Sequence, residues 1–267
     1  MTRYVWPEDV FVHKPAFLIT IDTEGDNLWQ KHDSITTENA RYLPRFQQLC
    51  EKYGFKPVWL TNYEMAIDRV YIEFAKDPIA RGTAEIGMHL HAWNSPPTDP
   101  LTDDDWRHKP YLIEYSDAAM RAKVDYMTRL LEDTFQTKMV SHRAGRWAFD
   151  ERYARLLVEY GYLVDCSVTP RVNWKTAKGA PQGDGGTDYR DFPQHAYFLD
   201  ENDIRREGQS SLLEVPMSIQ YKHSAWMNSL KQGYDRLRGK VRSPSVHWLR
   251  PMGGNVETMK KLVEQTL

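Results

Sequence analysis

Cysteine is nearly absent. The 267 residues hold only Cys50 and Cys166, far apart and in unlike surroundings, which argues against a disulfide framework and against a cysteine-built metal site. No stretch approaches the run of about 18 apolar residues that a membrane span needs. The opening "MTRYVWPEDVFVHKP" likewise lacks the apolar core of a secretory signal. A soluble, cytoplasmic protein with no membrane span is therefore expected, although a leader removed before residue 1 would escape this test. Long runs of one charge are missing too: 35 basic and 37 acidic residues leave a net charge of -2. That balance argues against a nucleic-acid groove or an anionic membrane surface and for a small or neutral partner. No G-x-G-x-x-G or P-loop pattern follows the first apolar run, which weakens a nucleotide-binding reading. No linker or internal repeat divides the chain, so residues 1–267 read as a single domain.

What is present is core material and a rhythm. With 41% hydrophobic and 27% charged residues the chain can bury a sizeable core. Short apolar, β-prone runs at 16–21, 56–61, 84–91, 138–144, 163–169, 211–219 and 245–251 alternate with helix-like runs at 44–54, 63–77, 117–135, 150–161, 225–239 and 256–267. A loop of roughly forty residues containing "GDGG" follows the fifth strand run. The alternation predicts an α/β fold with a mainly parallel sheet, either open and doubly wound or closed as a (β/α) barrel; a barrel of about seven strands is favoured.

In a barrel the chemistry sits at the C-terminal strand ends. Polar residues gather there: Asp22, Glu24 and Asp26 after the first run, His89 and His91 at the third, His142, Arg143 and Arg146 at the fourth, Asp165 and Ser167 at the fifth. Taken singly, each is an ordinary loop acid, cap, ion-pair partner or turn former. The two-residue spacing of His89 and His91 puts both imidazoles on one face of a strand. Two imidazoles with one carboxylate form the ligand set of an open catalytic zinc site. Trp29, Trp93 and Trp147 each follow a strand end by a few residues, where an indole could carry the apolar face of a sugar or simply fill the core. A glycoside hydrolase would instead pair carboxylates, such as Asp22 with Glu214 or Asp165, and would leave the histidines without a role.

The segments "LITIDTEGD", "EIGMHLHAW", "SHRAGRW" and "VDCSVTP", in this order, resemble the successive motifs of the polysaccharide deacetylases, the NodB-homology superfamily that includes carbohydrate esterase family four. More narrowly, the sequence is similar to a branch associated with cell-wall and surface-glycan gene clusters, and the resemblance covers about residues 16 to 255. The resemblance implies a distorted, TIM-like (β/α) barrel. It also implies a carbohydrate deacetylase, removing acetyl groups from N-acetylated sugars of a bacterial polysaccharide or glycan precursor with a divalent metal. Zinc is the foremost choice; cobalt, nickel and manganese are alternatives. By the same resemblance Asp22 is the catalytic base and Arg143 orients it. Glu24, the second acid of an acid-x-acid pattern, supplies the metal carboxylate, with Asp22 the other choice. His89 and His91 are the metal imidazoles, and Trp93, Arg146, Trp147, Asp165 and Ser167 line the substrate site.

Two features depart from the pattern. The usual histidine four positions after the first is Trp93 here. A late general-acid histidine has no convincing match in His223 or His247 and is expected beyond residue 267, as in a chain shortened at its C-terminus. An amidohydrolase acting on a non-sugar amide and a catalytically impaired carbohydrate-binding relative are the alternatives. The sequence carries no signal for oligomeric state.

Overall fold

The computed structural model describes residues 16–30, 34–222, 227, 245–251 and 256–266. Its strands are β1 (Thr20–Thr23), β2 (Val58–Thr61), β3 (Glu85–Leu90), β4 (Ser141–Ala144), β5 (Val164–Asp165), β6 (Tyr197–Asp200), β7 (Asp203–Glu207), β8 (Leu213–Glu214), β9 (Ile219–Tyr221) and β10 (Val246–Trp248). Strands β1, β2, β3, β4, β5 and β8 lie side by side in that order, all parallel. Strands β6 and β7 extend the sheet as an antiparallel edge, and β9 pairs with β10 apart from it.

The helices are α1 (Leu43–Lys52), α2 (Tyr63–Ala66), α3 (Arg69–Ala80), α4 (Asp105–His108), α5 (Asp117–Phe135), α6 (Glu151–Tyr160) and α7 (Val256–Thr266). Local chemistry sets their ends. Pro44 sits in the first turn of α1, while side chains of Asp68, Ser116 and Asp150 cap α3, α5 and α6 by accepting backbone N–H bonds. Gly161, at φ 84°, stops α6. The helix run predicted over 63–77 is broken at Asp68, whose extended backbone ends α2 and caps α3. No helix among the described residues is long and apolar enough to cross a membrane.

Across the six parallel strands the order never doubles back, whereas a doubly wound sheet reverses at a switch point. With right-handed crossovers this order puts the connecting helices on one face, which is the winding of a (β/α) barrel. Among the described residues the sheet does not close, ending at β1 on one side and β7 on the other. The predicted seventh run forms β10 but pairs antiparallel with β9 instead of extending the parallel sheet. The sixth run is divided because Pro216, which has no N–H for a ladder, falls between β8 and β9. The predicted long loop contains the β6–β7 hairpin, and the helix predicted over 225–239 lies outside the described residues apart from residue 227.

Register divides the sheet into two faces. Thr23, Thr61, Met88, His142, Asp165 and Glu214 are neighbours in one cross-strand row, and Asp22, Leu60, Gly87, Ser141, Val164 and Leu213 in the adjacent one. The first row faces the helices: Thr61 bonds Tyr71 of α3 and His142 bonds Tyr153 of α6. The second row's face is concave and carries Asp22, His89 and Arg143. On a flat sheet β1 and β4 would be three spacings, about 14 Å, apart. Arg143 nevertheless reaches Asp22 at 2.7 Å, which reflects the curl of the sheet.

Gly87 permits the close approach of β3 to β4. A Cβ there would meet Ser141 Oγ, stand 2.7 Å from Leu60 Cδ2 and 2.8 Å from the Ser141 carbonyl oxygen. Because that last neighbour is backbone, Gly87→Ala is expected to cost about 1–3 kcal/mol, read as a lowered thermal midpoint.

Candidate metal centre

Glu24 sits just past β1, His89 near the end of β3 and His91 immediately beyond it. Their ligand atoms lie within 4.8 Å of one another. Glu24 Oε2 is 2.8 Å from His91 Nε2 and 3.6 Å from His89 Nε2. His89 donates Nδ1–H to the Arg143 carbonyl oxygen at 2.9 Å, which fixes its tautomer and turns Nε2 toward Glu24. His91 Nδ1 is buried and has no hydrogen-bond partner. The donor set, two nitrogens and a carboxylate oxygen converging on one point, fits a divalent transition metal such as zinc.

The electrostatics favour a cation. Burial works to raise the Glu24 carboxyl, but its hydrogen bonds with His89 and His91 outweigh this and hold it far below the usual carboxylate range. Burial depresses His91, whereas for His89 the nearby Asp22 and Glu24 overcome burial and raise it. Glu64, at the start of α2, fixes the surrounding loops. Its Oε1 accepts the Gly25 backbone N–H at 2.6 Å and its Oε2 accepts Asn94 Nδ2 at 2.8 Å, tying the loops that carry Glu24 and His91.

Asp22 adjoins this group on β1. Burial pushes its carboxyl up, but the Arg143 guanidinium prevails and holds it below its usual value. Arg143 Nη1 donates to Asp22 Oδ1 at 2.7 Å, Nε donates to the Cys166 carbonyl oxygen at 2.9 Å, and Nη2 donates to Thr20 Oγ1. A cavity of about 220 Å³ opens above Asp22, Glu24, His89 and His91. Its walls include Trp29, Trp147, Arg146 and two residues that the sequence reading missed, Tyr111 and Trp174.

Arg146 stacks on Tyr111 at 4.0 Å and straps the loops by donating to the Lys109 and Lys178 carbonyl oxygens. Arg146 and Trp147 both hold left-handed backbone, φ 56° and 62°, a strain typical of a shaped site. Tyr111 and Trp174 lie in loops without periodic pattern, so only an excess of aromatics in long loops could have marked them. Gly183, Asp184 and Gly185 of the glycine-rich segment line a separate groove of about 950 Å³ that shares no residue with this cavity.

Three residues expected to line the substrate site do not. Trp93 is buried behind the centre, 4.3 Å from the His91 ring. Asp165 lies in the row that faces the helices, where its Oδ1 accepts from His142 Nδ1 at 2.6 Å. Ser167 is fully buried and bonded to Asp165 and to the Ala144 backbone N–H. His142 Nε2 is 2.7 Å from the Tyr153 hydroxyl, and Glu214 stands beside Asp165 in register. Burial, then the Asp165 charge, pushes the Glu214 carboxyl well up.

No family model and no curated protein matches the chain. Solved structures of similar fold include a Mycobacterium smegmatis protein described as a polysaccharide deacetylase, with a TM-score of 0.48 and 18% identity over 74% of this chain and 57% of that one. A carbohydrate esterase family four pseudoenzyme from Bacillus anthracis gives 0.39 and 14%, over 60% of this chain and 45% of that one. The deacetylase domain of BpsB from Bordetella bronchiseptica gives 0.39 and 10%, over 74% and 70% respectively. The chain thus spans 57% of the length of the Mycobacterium smegmatis protein.

Because Asp165 points away from the cavity, Asp165→Asn is expected to lower stability by about 1–3 kcal/mol, the cost of disturbing a buried hydrogen-bonded group. Denaturant unfolding measures this.

Proposed function

We propose that the protein is a metal-dependent deacetylase, removing the acetyl group from an N-acetylated sugar of a bacterial polysaccharide or glycan precursor. The observation that carries this reading is the convergence of Glu24, His89 and His91 beside an Asp22 held ionised by Arg143. Glu24 Oε2, His89 Nε2 and His91 Nε2 would hold the cation, which when bound would polarise an amide carbonyl and acidify a water.

Asp22 acts as the base, taking a proton from the attacking water. Arg143 has two parts: its charge keeps Asp22 deprotonated, and its hydrogen bonds to Thr20 and Cys166 hold the guanidinium so that Asp22 cannot swing away. Among the described residues no histidine other than His89 and His91 lines the cavity. Asp22, protonated in that step, stands beside the site and returns the proton to the departing amine. His247 belongs to β10 and does not line the cavity; His223 lies outside the described residues. Trp147 and Trp174 form an aromatic wall suited to the apolar face of a pyranose, and the small cavity suits one sugar ring at a time.

The second reading is a carbohydrate-binding protein without turnover. Acetate release from N-acetylhexosamine-containing glycans separates the two. For a deacetylase, Asp22→Asn is expected to lower the rate by about 10²–10⁴-fold while equilibrium dialysis still finds bound zinc; undiminished acetate release would remove Asp22 from the mechanism.

The pH profile carries a second expectation. Since Arg143 lowers the Asp22 carboxyl, the base remains ionised as pH falls through the ordinary carboxylate range. Arg143→Met removes that charge and leaves burial to raise Asp22, so the acidic limb of kcat/KM should move to higher pH.

A further inference from the structure

Within the deacetylase reading, the role of Trp29 differs from that of a sugar platform. Its indole Nε1–H donates to Glu24 Oε1 at 2.7 Å, while the other carboxylate oxygen, Oε2, faces both imidazoles. The ring is fixed where it stands. It packs edge-on against His91 at 5.2 Å and against Trp93 at 5.4 Å, and His91 packs on Trp93 in turn. The loop that presents it is anchored by Leu28, which is fully buried, and by the backbone bonds Leu28 N–H to Gly25 O and Gln30 N–H to Asn27 O.

A donor on a carboxylate makes a strong, charge-assisted bond and occupies the oxygen that accepts it. We infer that Trp29 is a positioning residue that commits Glu24 to bind a cation through Oε2 alone. The inference rests on the proposed metal site. Its consequence is for coordination number: a carboxylate restricted to one oxygen leaves more of the ion open to water and substrate than one free to chelate with both. The other wall aromatics do not share this role, since Trp174 Nε1 is directed to Thr169 Oγ1.

The test uses the full chain loaded with cobalt(II) or zinc, the parent beside Trp29→Phe and Trp29→Gln. Phe keeps a ring and loses the N–H; Gln restores an N–H donor. Because Trp29 is 49% exposed, the metal-free variants should melt with the parent. In Trp29→Phe the visible cobalt absorption should fall several-fold, as Oε1 becomes a second donor, and zinc affinity should change by about tenfold or more. Trp29→Gln should recover part of both. Spectra and zinc affinities unchanged in Trp29→Phe, with only the KM for the glycan raised, would return Trp29 to a sugar-contact role and overturn the inference while leaving the metal site intact. A parent that binds neither ion would overturn the metal site itself.

Discussion

The buried guanidinium of Arg143 joins the strand ends on which the site depends. Its side chain reaches Asp22 and Thr20 on β1 and the Cys166 carbonyl beyond β5, and its own carbonyl oxygen receives His89 from β3. A cation that is almost fully buried carries a large desolvation cost, which only a full set of partners offsets. Here the partners are the functional groups. The arrangement that satisfies Arg143 also curls the sheet, ionises Asp22 and selects the His89 tautomer.

A second layer acts on the loops. Glu64 accepts N–H donors from the segments after β1 and β3, Asn62 caps α2, and Gly25 is enclosed so closely that its Cβ position would be 2.7 Å from the Thr36 carbonyl oxygen. The side chains of the proposed site are thus carried on short segments leaving rigid strands, with few torsions free to vary. Trp29 adds to this by pinning the distal oxygen of Glu24.

Much of the arrangement was legible in the sequence, and the parts that were not share a physical reason. Strand–helix alternation gave the parallel sheet, and the two-residue spacing of His89 and His91 correctly put their rings together, 4.6 Å apart. The same rule cannot say which of His142 and Arg143 faces inward, since adjacent residues alternate. Asp165 could go with either, and only the β4–β5 register, pairing it with His142, sends it to the helix side. Trp29 and Trp93 were legible as aromatics near a site, but whether an indole offers its face to a ligand or its N–H to a carboxylate depends on loop backbone that carries no periodic signal. Tyr111 and Trp174 were invisible for the same reason, and the β6–β7 hairpin was hidden in a stretch rich in turn residues.

Two pairs of carboxylates on opposite faces of one sheet show how surroundings decide charge. Asp165 and Glu214 adjoin in register, a buried His142 bonds Asp165 at 2.6 Å, and burial with the Asp165 charge pushes the Glu214 carboxyl well up. Asp22 and Glu24 also repel one another, yet both stay ionised because Arg143 faces the first and the two imidazoles face the second. Two ionised carboxylates and one guanidinium leave the concave site with one negative charge in excess, and the nearby Asp22 and Glu24 raise His89 against its burial. A dication held there would turn that excess into one positive charge at the end of β3. An electrophilic centre beside an ionised base is what the proposed amide hydrolysis requires.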